Sequence, residues 1–172
     1  MLKIISSRSS ADNHSHFKYR NTVFIRKVLK TVKGGKNISF CAISYVGNQE
    51  GSVGVGYGKA RNISDAIDKS FEIATKNVIK VRSRRLHNMN FKFCASEIII
   101  RRKCNTNTKA PTYIIEMLRA LGITNVSCKL VGSSNLMNNI FCMFAAIKQS
   151  VKIDIMLALR KKYIEQNICK NE

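Results

Sequence analysis

The chain has 172 residues, of which 45% are hydrophobic, and its 30 Lys and Arg residues against 10 Asp and Glu residues give a net charge of +20. The hydrophobic content excludes a wholly disordered polypeptide, because such chains lack the apolar side chains that form a core. A charge this large destabilises a compact protein unless an anionic partner neutralises it. Nucleic acid is the first candidate for that partner, and an anionic membrane surface is the second.

The first predicted domain follows a polar N-terminal segment. Residues 1–20 show no hydrophobic periodicity and are predicted to form a flexible arm that becomes ordered on RNA. From Val23 to Tyr57, alternating apolar and polar residues predict three strands. Two turns separate these strands, a tight one at Gly34-Gly35 and a longer one at residues 47–51.

The third predicted strand carries a glycine pattern and leads into a helix. The glycines occupy alternate positions: Gly54, Gly56 and Gly58. Because glycine has no side chain, this face of the strand permits close approach of either a helix or RNA, and the pattern alone leaves both interpretations open. Asn62 followed by Asp65 predicts the start of a helix whose apolar stripe continues to Val81.

A basic stretch, Arg82 to Phe93, is predicted to connect two domains. We therefore place a first domain at residues 21–85, a second at residues 86–150, and a C-terminal helix and tail at residues 151–172. The succession of strands and helices in both halves predicts an α+β fold.

The second domain has its own series of predicted elements. A strand is expected at Glu97 to Ile100, a helix from Pro111 to Leu121, and a strand at Val126 to Leu130. Gly122 is positioned to end the first of these helices. Two further helices are predicted, one containing Ile140 to Ile147 and one from Lys152 to Gln166.

The glycine-rich run from Gly51 to Ala60 does not match a nucleotide-binding loop. A Walker loop requires glycine where Val53 stands and Ser or Thr where Ala60 stands. Acidic residues are few, and no Ser, His and Asp residues are suitably spaced for a catalytic triad. The sequence therefore predicts no catalytic site and no cofactor.

The six cysteines are dispersed along the chain and include no Cys-x-x-Cys pair. This spacing argues against a zinc site and against a disulfide framework, so we expect no metal and a reducing compartment. The longest apolar run, Ile140 to Ile147, is too short to cross a bilayer, so no membrane span is expected. We also expect no membrane among the partners.

The run TVKGGKNISFCAISYVGNQEGSVGVGYGKAR, from Thr31 to Arg61, resembles the signature of bacterial small-subunit ribosomal protein five. The resemblance continues more weakly in the second half, for example at Lys129 and at the Gly132-Ser133 turn. It is interrupted from Arg101 to Thr112, where the family has a glycine-rich stretch and this chain has RRKCNTNTKAPT. In total, the similar region extends from Arg26 to Glu165.

The resemblance implies both a fold and a role. The implied fold is a sheet-plus-helix domain similar to double-stranded-RNA-binding domains, followed by a small βαβ-type domain and a C-terminal helix. The implied role is a non-enzymatic one in the small ribosomal subunit, with binding to its 16S-type rRNA and support of assembly and decoding accuracy. Ribosomal proteins four and eight, and the mRNA where it enters the subunit, are the other implied partners. Frequent Ile, Lys and Asn residues are typical of an AT-rich genome. Such genomes occur in bacteria and in organelles, so the expected location is either a ribosome of the bacterial cytoplasm or a ribosome of an organelle.

Eight residues are predicted to contact rRNA: Lys30, Lys33, Gly34, Gly35, Lys36, Lys59, Arg61 and Lys76. Lys33 and Lys36 flank the double glycine, so the turn can lie close to phosphates with a positive charge on each side. Lys59 and Arg61 lie where the third strand leads into the helix, whose first backbone N–H groups also attract phosphate.

Two other classes of protein share part of this pattern. A free-standing RNA-binding protein or RNA chaperone would have the same charge, but it would need neither the second domain nor the ordered signature. A small kinase-like enzyme would share the fold implied for the second domain, but the missing phosphate-binding loop argues against it.

Overall fold

The computed structural model describes residues 17–81, 86–103 and 107–168, with side chains as far as residue 164. The predicted N-terminal arm therefore lies almost entirely outside the described residues. Tyr19 and Arg20, which the sequence placed in that arm, instead form the start of the first strand.

The first half of the chain forms a four-stranded antiparallel sheet. Its strands are β1 (Tyr19–Val32), β2 (Gly35–Gly47), β3 (Ser52–Ala60) and β4 (Val78–Lys80), in that spatial order, and helix α1 (Ile63–Lys76) connects β3 to β4. The three predicted strands and the helix are confirmed. The helix is shorter than predicted, because the β-branched residues Val78 and Ile79 pair with β3 rather than continue α1.

Helix α1 covers the glycine face of β3, which shows that this face serves helix packing rather than RNA contact. A Cβ atom on Gly56 would overlap the carbonyl oxygen of Ser70 and the backbone nitrogen of Ala74. Gly54 and Gly58 lie equally close to the backbone of α1. The three glycines therefore allow the helix to approach the sheet closely.

The second half forms a three-stranded antiparallel sheet in the order β5-β6-β7. Its elements are β5 (Met89–Phe93), β6 (Ser96–Arg102), helix α2 (Thr112–Leu121), β7 (Val126–Gly132) and helix α3 (Leu136–Ile168). The predicted order of strand, helix and strand and the α+β fold are confirmed. The two strands that flank α2 pair antiparallel, unlike the parallel strands of a conventional βαβ unit.

Two details of the second half differ from expectation. β5 lies inside the stretch that was predicted to be a connector, because Met89 and Phe91 alternate with polar residues and pack against the core. The two predicted C-terminal helices are one continuous helix, α3, whose sequence contains no glycine or proline to interrupt it.

One hydrophobic core joins the two halves. The face of the first sheet that carries Tyr45 and Val53 packs with buried residues of α2, the second sheet and α3. The turn between β2 and β3 adds a backbone contact, since the N–H of Gly51 donates to the carbonyl oxygen of Leu121 at 3.0 Å. This bond satisfies one of the C-terminal carbonyl groups of α2. The domain boundary between residues 85 and 86 stays a prediction.

Candidate RNA-binding surface

The β1–β2 hairpin extends beyond the rest of the first sheet. β3 pairs with β2 only as far as Phe40, which lies opposite Ala60. Residues 28–32 of β1 and 35–39 of β2 therefore form a two-stranded extension, and residues 29–38 are all exposed to solvent. The extension projects from the body of the protein, where a large partner can reach it.

An open groove of about 570 Å³ lies where this extension joins the sheet. Four of its lining residues are cations that the sequence predicted to contact rRNA: Lys30, Lys36, Lys59 and Arg61. The other lining residues are Val28, Asn37, Ile38 and Ser39, so the described residues that line the groove include no acid. We call this site the hairpin groove. It combines positive charge with hydrogen-bonding side chains, as binding of phosphate and ribose requires.

Sequence reasoning missed two polar residues of the groove, Asn37 and Ser39. In the β1–β2 pairing, Asn37 lies opposite Lys30 and Ser39 lies opposite Val28. A usable signal was present, because placing the turn at the double glycine determines which residues of the two strands face each other.

The tip of the hairpin carries Lys33, Gly34 and Gly35, three more of the predicted contact residues. Val32 pairs with Gly35, so Lys33 and Gly34 form the connection between the strands. Gly35 has a φ of +143°, a conformation that residues with side chains rarely adopt. Apart from the adjoining residues, no atom of the described chain lies within 4 Å of a Cβ placed on either glycine. The double glycine thus serves the turn and a slender tip, not packing.

Lys76 lies apart from the hairpin groove. It is the last residue of α1, whereas Lys59 and Arg61 precede the first turn of that helix. Helix α1 has 14 residues, which span about 20 Å. A contact between Lys76 and rRNA would therefore be separate from the groove, and the helix dipole already favours a cation at this position.

The start of α1 differs from the prediction in its capping. Asn62 occupies the N-cap position, but its side chain makes no capping hydrogen bond. Its Nδ2 instead donates to Oδ2 of Asp65 at 3.2 Å. The N–H groups of the first turn, which follow Arg61, therefore keep their capacity to bind an anion.

The positive charge of the hairpin groove is not neutralised by the described part of the chain. Within the described ranges, contacts between basic and acidic side chains include His87 with Asp154 and Arg119 with Glu116, both in the second half, and no such contact involves a groove cation. The four groove cations are consequently available to an external anion such as RNA phosphate.

The described ranges contain neither a metal-binding cluster of His, Cys, Asp or Glu nor a helix long and apolar enough to cross a bilayer. Free thiols are found at Cys41, Cys94, Cys128 and Cys142. Burial raises the pKa of Cys128 to about 12, which keeps this thiol protonated and unreactive near neutral pH. Cys104 and Cys169 lie outside the described residues.

Comparison with known protein families places both halves of the chain. A family model described as "Ribosomal protein S5, N-terminal domain" matches residues 19–82. A second, described as "Ribosomal protein S5, C-terminal domain", matches residues 91–160. The two matches agree with the resemblance seen in the sequence.

Individual relatives lead to the same family. "Small ribosomal subunit protein uS5" of Anaplasma phagocytophilum is 36% identical over 149 residues, which are 84% of this chain and 86% of the relative. The protein of the same name from Ehrlichia canis is 39% identical over 132 residues, 74% of this chain and 76% of the relative. "Small ribosomal subunit protein uS5c" of Emiliania huxleyi is 38% identical over 136 residues, which are 74% of this chain and 83% of the relative. The chain therefore belongs to the ribosomal protein S5 family.

Proposed function

We propose that the chain is a structural, non-enzymatic component of the small ribosomal subunit and binds the rRNA of that subunit. Relatives named as small ribosomal subunit proteins align with most of its length. The single observation that carries the rRNA contact is the hairpin groove, where four cations meet that form no ion pair with other described residues. The ribosome is that of a bacterial cytoplasm or of an organelle.

The hairpin groove binds RNA through charge and shape rather than base sequence. Lys30, Lys36 and the neighbouring cations release counterions from the phosphates, and this release makes the affinity fall as salt increases. Asn37 and Ser39 add hydrogen bonds to phosphate or ribose oxygens. Folded RNA is recognised mainly through its shape and backbone, so a surface of this kind needs no base-reading side chains.

Contacts with ribosomal proteins four and eight are part of the proposal, and the end of α3 supports a protein contact. This end carries large apolar side chains that are exposed to solvent: Ile155, Met156, Leu157, Leu159, Tyr163 and Ile164. Large apolar side chains that are exposed close together commonly mark a site of interaction with another protein. The end of α3 is therefore suited to pack against another protein.

Contact with mRNA where it enters the subunit, together with roles in assembly and decoding accuracy, rests on the family resemblance. The excess of positive charge supports an mRNA contact, because mRNA presents the same phosphates as rRNA.

Sedimentation of extracts from the source cells tests the proposed function. At high salt, we expect the chain to sediment with the small subunits, because an integral component is held by many phosphate and protein contacts. Release of the chain from otherwise complete subunits would instead indicate a free-standing RNA-binding protein or RNA chaperone.

A further inference from the structure

The second sheet has one face covered by α3 and one face open to solvent. On the covered face, Ile98, Ile100 and Cys128 are buried. The residues that alternate with them along β6 and β7 are intermediate or exposed. We call the open side the outer face of the second sheet.

Strand pairing places the outer-face residues in three rows. Directly opposed residues of an antiparallel pair point to the same face, so the register defines each row. The rows are Lys92, Glu97 and Val131; Asn90, Ile99 and Lys129; and Arg101, Ser127 and Lys109. Lys109 joins the third row through a parallel bridge to Ser127, beyond the edge of β7.

The outer face is strongly positive. Lys92, Arg101, Lys109 and Lys129 are exposed, and Glu97 is the single acid in the three rows. In the described part of the second half, none of these cations forms an ion pair. Arg101 and Lys109 are separated by β7, a distance of roughly 10 Å at two strand spacings. The cations are thus spread over the face and are open to an extended anion.

We propose that the outer face of the second sheet is a second RNA-binding surface, which binds phosphates of the same rRNA. This inference rests on the proposed function and adds a site on the opposite half of the chain from the hairpin groove.

The side chains of the outer face favour RNA over a protein partner. Lys is depleted at the centre of protein–protein interfaces, whereas three of the cations here are Lys. The polar residues Asn90 and Ser127 are suited to hydrogen bonds with phosphate oxygens. A chain that binds one RNA at two separate surfaces gains affinity, because the second contact becomes intramolecular.

A charge-reversed variant of the full chain tests this surface. In Arg101→Glu/Lys129→Glu, we expect weaker binding to purified small-subunit rRNA and a salt-dependence slope lower by about two, one for each lost phosphate contact. The matched control is Lys80→Glu/Lys152→Glu, which makes the same change in net charge at exposed positions outside both surfaces. The control should show the same salt-dependence slope as the unsubstituted chain. Because charge reversal can affect folding, the neutral variant Arg101→Ala/Lys129→Ala is measured in parallel. Circular dichroism checks that each variant is folded.

Lysine acylation followed by mass spectrometry gives an independent readout on the unmodified chain. With rRNA bound, Lys109 and Lys129 should be protected from the reagent, while Lys152 should react as in the free chain. Protection of Lys36 and Lys59 without protection of Lys129 would overturn this inference and leave the proposed function standing. If rRNA protected neither surface, both this inference and the proposed function would be overturned. Protection of Lys129 in intact subunits but not by rRNA alone would assign the outer face to a protein partner and contradict the inference.

Discussion

At the scale of single residues, the glycines of the first half have two different physical roles. Gly56 faces the backbone of α1, and no side chain fits between them. Gly34 lies at the hairpin tip, where no described residue beyond its two neighbours comes within 4 Å of a Cβ placed on it. The first glycine is required by packing, whereas the second keeps the tip slender.

The two glycines are expected to respond differently to the same substitution. Gly56→Ala should lower the free energy of unfolding by about 1–3 kcal/mol or more, because the added methyl group overlaps backbone atoms of α1. Gly34→Ala should leave stability unchanged or raise it by about 0.4–1 kcal/mol, because it restricts the unfolded chain without a clash. Urea unfolding followed by circular dichroism measures both. Equal losses in the two variants would contradict the packing role of Gly56.

At the scale of elements, lysines from three different strands line one groove at the base of the two-stranded extension. Lys30 and Lys36 come from β1 and β2, and Lys59 comes from the end of β3. The pairs Lys30–Asn37 and Cys41–Lys59 place Lys30 and Lys59 on the same face of the sheet, although 29 positions separate them in the chain. Lys36 also lines the groove.

Charge reversal in the hairpin groove should weaken binding to rRNA. For Lys36→Glu/Lys59→Glu, we expect the slope of log affinity against log salt to fall by about two, since each lost phosphate contact lowers it by about one. Filter binding of the full chain to purified small-subunit rRNA across a salt series measures the slope.

Two further variants test whether the lower salt-dependence slope is specific to the groove. Lys80→Glu/Lys152→Glu carries the same change in charge outside the groove and should preserve the slope. Lys76→Glu tests the one predicted contact that lies apart from the groove, and its effect should add to that of the groove variant, because distant sites act independently. An unchanged slope in the groove variant would exclude the groove as a phosphate-binding site.

At the scale of the whole molecule, the two halves are joined by polar bonds as well as by the shared core. Glu116 of α2 accepts hydrogen bonds from the hydroxyl of Tyr19 and, at 3.2 Å, from Nδ2 of Asn21 at the start of β1. It also pairs with Arg119 at 2.8 Å. Burial, followed by the hydrogen bond to Glu116, raises the pKa of Tyr19. The carboxylate thus links the first strand to the second half.

Because of this shared core, the two halves should unfold together. We expect a single calorimetric transition whose calorimetric and van't Hoff enthalpies agree. Glu116→Ala should lower the free energy of unfolding by about 1.5–3 kcal/mol while keeping one transition, because it removes bonds to a charged group. Glu72→Ala, at an exposed position of α1, should change stability by less than about 0.5 kcal/mol. Two separate transitions in the unsubstituted chain would show that the halves fold independently.

Local patterns were enough to predict much of the fold. The alternation from Val23 to Tyr57 gave three strands, and the glycine after Leu121 correctly ended α2, where Gly122 has a φ of +80°. The strand β5 was not predicted, because its five residues include polar and basic side chains that resemble a connector. The site was predicted as individual cations and the two turn glycines, without Asn37 and Ser39, the polar residues that line the same groove.

The sequence by itself determined most of the local elements, the positive charge and the family resemblance, since these depend on composition and on residues that are neighbours in the chain. Only the tertiary structure decided that a helix covers the glycine face, that four predicted cations meet in a groove while Lys76 does not, and that both halves share one core. The physical reason is that contacts between distant residues depend on strand register and packing geometry, which composition and periodicity do not specify.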